Sequence, residues 1–97
     1  MIKVLVSKEK IEIEGHSGYD LIGKDIVCSA VSSIITTTIN GILSIDSNAL
    51  FYKYSDDKLT ISNIHNDIVT MKLIKNMLDL LYELVEKYPK NINVKEI

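Results

Sequence analysis

Residues Gly15–Ser33 read GHSGYDLIGKDIVCSAVSS, and this stretch decides how the rest of the chain is arranged. It joins an alternating, strand-like run to an apolar, helix-like run. His16 stands at the end of the first run, and Cys28, the only cysteine, stands at the start of the second. Gly18 and Gly23 lie between them and predict a mobile loop, because glycine accepts backbone angles that other residues avoid.

The start of the predicted helix gives Cys28 a chemical role. Asp25 is predicted to be the helix N-cap, which places Cys28 in the first turn. Unpaired N–H groups and the positive end of the helix dipole in that turn favour a thiolate over a thiol. Because helical side chains lean toward the N-terminus, the sulfur would point back toward His16. An imidazole there can take the thiol proton and later protonate a leaving amine, so the pair is a candidate Cys–His dyad.

The same residues resemble the signature of the ribosomal-processing cysteine proteases, the Prp family. In that signature a Gly-His pair, here Gly15-His16, is followed about a dozen residues later by an Asp-Ile-Val-Cys-x-Ala-x-Ser block, here residues 25–32. Ser17 and Ser29 depart from the pattern, which usually has other small residues, often alanine, at these positions. The resemblance is strongest over this stretch and extends along the whole chain in length and order of elements.

The resemblance implies a cysteine endopeptidase that removes the N-terminal extension of large-subunit ribosomal protein twenty-seven. Cys28 would be the nucleophile and His16 the general base. The loop between them would move aside to admit the peptide, with Gly18 and Gly23 as hinges. The resemblance also implies that the protein forms a homodimer and that the ribosomal precursor protein binds to it as a peptide substrate. No cofactor and no metal is expected.

Several roles stay open at this point. Asp25 is interpreted as a helix cap, because its charge near Cys28 opposes a thiolate, but it could also orient His16 as a third catalytic member. Tyr19 is the one tyrosine expected to touch substrate. His65 is interpreted as a solvated loop histidine, although its pairing with Cys28 is not excluded. Acyl transfer also needs oxyanion donors, expected from backbone N–H groups near Cys28 and in the loop before it.

Composition narrows the class of protein. The 97 residues predict a single domain, residues 1–97, with the hydrophobic (46%) and charged (25%) shares of an ordinary soluble protein. A net charge of −2 argues against nucleic-acid binding. No apolar run is expected to approach bilayer-spanning length, and no signal peptide is recognised. A cytoplasmic enzyme remains, or a non-catalytic ribosome- or precursor-binding module in which Cys28 is part of the core.

Hydrophobic periodicity predicts an α+β fold, one sheet with two helices packed against it, in the order ββαββαβ. The third and fourth strands are predicted to form a hairpin with its turn at residues 55–58. The first helix is predicted over Asp25–Leu43 despite its many β-branched residues, and the second runs from about Asp67 until Pro89 stops it. The buried side of the second helix is predicted to carry Ile68, Met71, Ile74, Leu78, Leu81, Val85 and Tyr88. Packing on the sheet and helices is expected to account for the remaining tyrosines, Tyr52, Tyr54, Tyr82 and Tyr88.

Overall fold

The computed structural model describes residues 1–15 and 25–97 of the chain. The described strands are β1 (Ile2–Val6), β2 (Lys10–Glu14), β3 (Phe51–Ser55), β4 (Lys58–Ser62) and β5 (Ile92–Glu96), and the helices are α1 (Ile26–Ile45) and α2 (Ile68–Lys87). The predicted order ββαββαβ and the α+β class are confirmed.

The five strands form one mixed sheet in the order β3-β4-β2-β1-β5. The pairs β1–β2, β2–β4 and β3–β4 are antiparallel, and β1–β5 is parallel. A short turn joins β1 to β2, in which the Ser7 amide and hydroxyl both donate to the Lys10 carbonyl. β5 reaches the far edge through α2, because a parallel neighbour needs a crossover connection.

One face of the sheet is buried under both helices, since successive strand residues point to opposite faces. The core side chains from the strands are Ile2, Val4, Ile11, Ile13, Ile61 and Ile92, and those from the helices are Val27, Val31, Ile35, Ile39, Ile42, Ile74, Met77 and Leu81. The other face is open and charged. On it Lys58 Nζ lies 2.9 Å from Glu12 Oε2, which lowers the pKa of Glu12 and raises that of Lys58.

Helix α1 is rich in β-branched residues, which have low helix propensity, so it depends on tertiary packing. The expectation that no apolar run approaches bilayer-spanning length is wrong, because α1 is long and apolar enough to cross a membrane by length and composition alone. The core helix of a soluble protein passes the same test. Five side chains of α1 are buried in the common core with the sheet, so it is described as a core helix.

Helix α2 buries a different stripe from the predicted one. Ile68 is 75% exposed and Met71 is also exposed, whereas Thr70 and Met77 are buried with Ile74 and Leu81. Thr70 can be buried because its amide and hydroxyl both donate to the carboxylate of the N-cap, Asp67. These hydrogen bonds lower the pKa of Asp67. An apolar periodicity could not reveal this polar member of the core.

The β3–β4 hairpin turns at Asp56 and Asp57, whose φ angles are 52° and 60°. Two consecutive left-handed residues between paired strands are the geometry of a type I′ turn, which aspartate tolerates well. The hairpin was predicted, with its turn at these residues. It leaves β3 at the edge of the sheet with exposed side chains along its whole length.

Candidate active site

Asp25 and the first turn of α1 fix the position of Cys28. Asp25 is extended (φ −75°, ψ 104°), and its Oδ1 accepts the N–H of Val27 at 2.9 Å and that of Cys28 at 3.0 Å. The Asp25 carbonyl accepts the Ser29 N–H at 3.1 Å, the first helical hydrogen bond. Asp25 is buried although it carries a carboxylate. The expected N-cap is therefore present, and Cys28 is the third helical residue.

Cys28 is half-buried and lines a groove on the protein surface. The groove has a volume of about 390 Å³ and runs between α1 and the β3–β4 hairpin. Cys28 packs against the edge of the core without being enclosed by it. A sulfur at this position is accessible from the groove, as a nucleophile must be.

The helix wall of the groove has two parallel lines of side chains. Val31, Ile35 and Ile39 form an apolar line at its base, and beside it Cys28 heads a line of polar residues at four-residue spacing, Ser32, Thr36 and Asn40. Residues four apart lie on one face of a helix, about 6 Å from each other along the axis. The thiol therefore begins a row of polar side chains along one wall.

The sheet wall is aromatic and apolar. Tyr52 and Tyr54 of β3 line the groove and are 49% and 69% exposed. Their expected role as packing residues is therefore wrong. Both project from the edge strand on the same face as their partners Ile61 and Leu59, which are more deeply buried. The alternation along a strand predicts which face of the sheet a side chain is on. It does not predict that the helices leave the edge strand uncovered.

The groove has two distinct ends. α1 leads directly into β3, and β3 begins at the sheet end where Phe51 pairs with Ser62. The C-terminus of α1 thus lies at that end, and its N-terminus lies at the opposite end, where β2 finishes. We call this second end the thiol end; it is lined by Cys28, Glu14, Gly15 and Asp57.

Gly15 controls how the chain leaves β2 at the thiol end. Its φ is +93°, and a Cβ there would lie 2.4 Å from the Met1 carbonyl oxygen. Only glycine fits such a conformation and so close an approach. His16 is the next residue in the chain. The predictions that concern His16, Gly18, Tyr19 and Gly23 fall on residues outside the described ranges.

His65 lies at the other end of α1. Its Nδ1 is 3.6 Å from Asp46 Oδ2, and its amide donates to the Ala49 carbonyl at 2.7 Å. Cys28 and Asp46 are separated by almost the whole length of α1, about 27 Å. The alternative pairing of His65 with Cys28 is therefore excluded, and His65 is half-exposed, as expected for a loop histidine.

Within residues 1–15 and 25–97, one set of side chains has the spacing of metal ligands, Asp46, His65 and Asp67. All three are exposed where α1 ends and α2 begins. Both carboxylates already accept backbone hydrogen bonds, from Asn48 and Thr70 respectively. None of the three lines the groove, and the set lies at the end of α1 opposite Cys28.

The family model for cysteine protease Prp matches residues 1–93 of the chain. The chain belongs to the Prp family of cysteine proteases. The predicted family is confirmed, and so is the predicted enzyme class. No curated protein matches the chain.

Solved structures share the Prp fold over the whole chain. The essential ribosomal processing protease Prp from S. aureus with a covalently linked product peptide superposes with a TM-score of 0.93 at 24% identity, covering 100% of both chains. The same protein with a substrate peptide gives 0.86 at 23% identity, again with 100% of both chains covered. SMU.848 from Streptococcus mutans gives 0.75 at 25% identity, covering 99% of this chain and 91% of its own.

The N-cap limits where this Prp-family protease can stabilise an oxyanion. The Cys28 N–H, a natural oxyanion donor next to a nucleophile, already donates to Asp25. It becomes available only if the Asp25 carboxylate moves. The sequence predicted the Asp25 cap but could not show that the cap accepts the Cys28 N–H.

Sequence reasoning missed the groove residues of this Prp-family member, Tyr52, Tyr54 and Asp57. One signal was available for the tyrosines: two aromatic residues alternate with Lys53 in a strand next to a predicted hairpin turn. These tyrosines line the groove because β3 is an edge strand, and no local sequence pattern predicts the order of the strands.

Proposed function

We propose that this protease removes the N-terminal extension of large-subunit ribosomal protein twenty-seven through a Cys28–His16 dyad. The observation that carries the proposal is the position of Cys28, in the wall of an open groove at a helix start. A cysteine protease needs a cysteine nucleophile, and this chain contains one cysteine. The S. aureus Prp bound to a substrate peptide supports a ribosomal precursor as the substrate class.

His16 is the proposed general base. The chain has two histidines, and His65 lies at the far end of α1 from the thiol. His16 directly follows Gly15, which lines the thiol end of the groove. The other imidazole of the chain is therefore next in sequence to a residue that lines the groove at the same end as Cys28.

The proposed reaction is acyl transfer in two steps. His16 takes the proton of Cys28, and the sulfur attacks the scissile carbonyl to form a tetrahedral oxyanion. His16 returns the proton to the departing amine as the C–N bond breaks, leaving a thioester. Water, deprotonated by the same imidazole, then hydrolyses the thioester and restores the thiol.

Oxyanion stabilisation is assigned to backbone N–H groups of the segment between Gly15 and Asp25. The reason is that the Cys28 N–H is occupied by the cap. Asp25 is assigned a structural role for the same reason, because its Oδ1 is already engaged by two N–H donors. Orientation of His16 by the Asp25 carboxylate is a second role that the variants discussed below separate from the cap.

The groove fits an extended peptide. The polar line Ser32, Thr36 and Asn40 repeats about every 6 Å along the helix, close to the two-residue repeat of about 6.6–6.8 Å of an extended chain. Alternate peptide groups of a bound chain could therefore meet successive polar side chains. The opposite wall, with Tyr52 and Tyr54, offers apolar surface to the substrate side chains.

We further propose that the enzyme acts as a cytoplasmic homodimer. Ile45 and Ile68 are 64% and 75% exposed at neighbouring helix ends, and apolar surface of this kind supports association. Light scattering at micromolar concentration would show twice the monomer mass, and Ile68→Glu would reduce it. A monomer at all concentrations would contradict the proposed homodimer. Recovery of the protein outside the cytoplasmic fraction would contradict the proposed location.

The decisive test is incubation with an extended ribosomal precursor peptide, followed by mass spectrometry of the products. Wild-type protein should cut the peptide at one bond, and Cys28→Ala should not cut it. Ser29→Ala, the exposed neighbour of the nucleophile, is the matched control and should retain activity. Cleavage by the Cys28→Ala protein would disprove the proposed mechanism.

Thiol labelling separates the protease from the alternative, a non-catalytic precursor-binding module. The dyad predicts rapid alkylation of Cys28 near neutral pH, slowed by His16→Ala and unaffected by His65→Ala. Slow alkylation of Cys28, at a rate that neither substitution changes, would favour the binding module. The enzyme class of the family favours the protease.

A further inference from the structure

We propose that Asp57 forms an acidic subsite at the thiol end of the groove and selects peptides with a lysine or arginine beside the scissile bond. The inference rests on the proposed proteolytic function and adds a specificity that the family assignment does not contain. It places the apolar part of the substrate along α1 and a cationic side chain at the turn of the β3–β4 hairpin.

The sheet register places Asp57 at the same end as the nucleophile. Ile13, Leu59 and Tyr54 lie side by side across β2, β4 and β3. One step further toward the thiol end, the hairpin turn carries Asp57 into the groove lining that also includes Cys28. The far end of the groove holds Ile39, Asn40 and Tyr52 and has no charged side chain among its described residues.

The charge at this end is one-sided. The described residues that line the groove include two carboxylates, Glu14 and Asp57, and no lysine, arginine or histidine. Glu14 follows the core residue Ile13 in β2, so its side chain points to the open face of the sheet, where Lys3 and Lys58 are its register partners. Asp57 forms no ion pair with any residue in the described ranges. A cation that enters the groove would therefore be attracted mainly by Asp57.

The hairpin turn places two adjacent and otherwise similar carboxylates against two different surfaces. Asp56 and Asp57 have nearly the same φ, and both are exposed. Asp57 lines the groove, whereas Asp56 lines a shallow hollow on the open face of the sheet beside Lys53 and Lys58. The two residues form a matched pair for experiment, because only one of them faces the substrate site.

A carboxylate at the rim of an apolar groove acts chiefly on substrate choice. Apolar walls reduce solvent screening, so a lysine or arginine side chain beside Asp57 is bound more strongly than a neutral isostere. The interaction is made in both the ground state and the transition state, so it should appear in KM more than in kcat. Asp57 is therefore proposed as a specificity residue and not as a catalytic one.

The test uses fluorogenic peptides with an apolar segment and a single lysine placed, in turn, at each of the two positions on either side of the scissile bond. Each peptide has a glutamine counterpart. For at least one position, wild-type kcat/KM should favour lysine by about fivefold, mainly through KM. Asp57→Asn should bring this ratio close to one, and Asp56→Asn should leave it unchanged. Asparagine suits the left-handed turn, so both variants should keep the hairpin.

Two further readouts make the outcome unambiguous. The lysine preference should shrink in high salt, because the pair is screened. Cleavage with equal lysine-to-glutamine ratios at every position, or a preference that survives Asp57→Asn, overturns the inference while the proposed function stands. If no peptide is cut in a Cys28-dependent way, the proposed function fails. Equal dissociation constants of the lysine and glutamine peptides for the Cys28→Ala protein would then overturn the inference as well.

Discussion

Helices α1 and α2 have the same length and pack on the same sheet, yet their outer faces differ completely. α1 contains no charged residue from Ile26 to Ile45, and its exposed positions are mainly serine, threonine and asparagine. α2 has lysines and acidic residues on its exposed side, including a Lys75–Asp79 pair at 2.9 Å. α2 has the surface of an ordinary solvated helix. α1 has a surface that another chain can lie against without displacing ion pairs.

The helix starts differ in a matching way. Both N-caps are aspartates, but Asp25 is buried and holds two N–H groups on Oδ1, whereas Asp67 is exposed and holds Thr70. A buried cap tolerates less movement, and it fixes the turn that carries Cys28. α2 therefore supports the fold, and α1 supports both the fold and the site.

The largest expected effect is on stability and comes from α2. Leu81 is fully buried, so Leu81→Ala should lower the free energy of unfolding by about 3 kcal/mol, measured by urea denaturation. Its neighbour Leu80 is partly exposed, and Leu80→Ala should cost less than about 1 kcal/mol. Proteolytic activity at temperatures where both variants are folded should match the wild type. Lost activity in the folded Leu81→Ala protein would show that α2 contributes to the site.

The next effect concerns the cap of α1. Asp25→Ala should cost about 1 kcal/mol of stability and also reduce cleavage, because the turn that holds Cys28 loses its hydrogen bonds. Asp25→Asn keeps a cap and removes the charge. Denaturation and peptide cleavage measured on both variants separate the two roles. If Asp25→Asn is stable but inactive, the carboxylate orients His16; if it is stable and active, the cap is sufficient.

The sequence predicted the elements better than their arrangement, and the reason is physical. Strand alternation, the Asp25 cap, the start of α2 near Asp67 and the stop at Pro89 are local signals, and all of them match the structure. The start of α1 could be predicted because a capping aspartate precedes a helical periodicity, and this placed Cys28 in the first turn.

Strand order is a non-local property, and the groove depends on it. The position of β3 at the sheet edge is set by pairing between distant segments. For this reason the sequence predicts Tyr52 and Tyr54 as packing residues and Asp57 as a turn residue, without their place in the groove. In α2, the burial of Thr70 depends on a side-chain hydrogen bond with Asp67, which hydrophobic periodicity does not detect.

A smaller effect tests the polar line of α1. Thr36 lines the groove and is exposed, so Thr36→Val should leave stability nearly unchanged and raise KM for the precursor peptide by about threefold through one lost hydrogen bond. Thr37 is exposed on the same helix and does not line the groove, so Thr37→Val is the matched control. Equal KM values for the two variants would mean that the peptide does not contact this line.

The smallest effect is the pH dependence of the α2 cap. Hydrogen bonds from Thr70, with a smaller contribution from His65, hold the pKa of Asp67 below its ordinary value of 3.8. A pKa that is lower in the folded state stabilises the protein at pH values above the unfolded-state pKa, and this contribution is lost as the pH falls through the folded-state pKa.

Asp67→Asn keeps a capping side chain but has no titrating group. Urea midpoints should therefore fall more for wild type than for Asp67→Asn between neutral pH and pH values below 3.8. Other carboxylates, including Glu12, titrate in both proteins and cancel in this difference. Parallel curves for the two proteins would mean that the exposed Asp67 cap holds its helix by geometry alone, with no contribution from its charge.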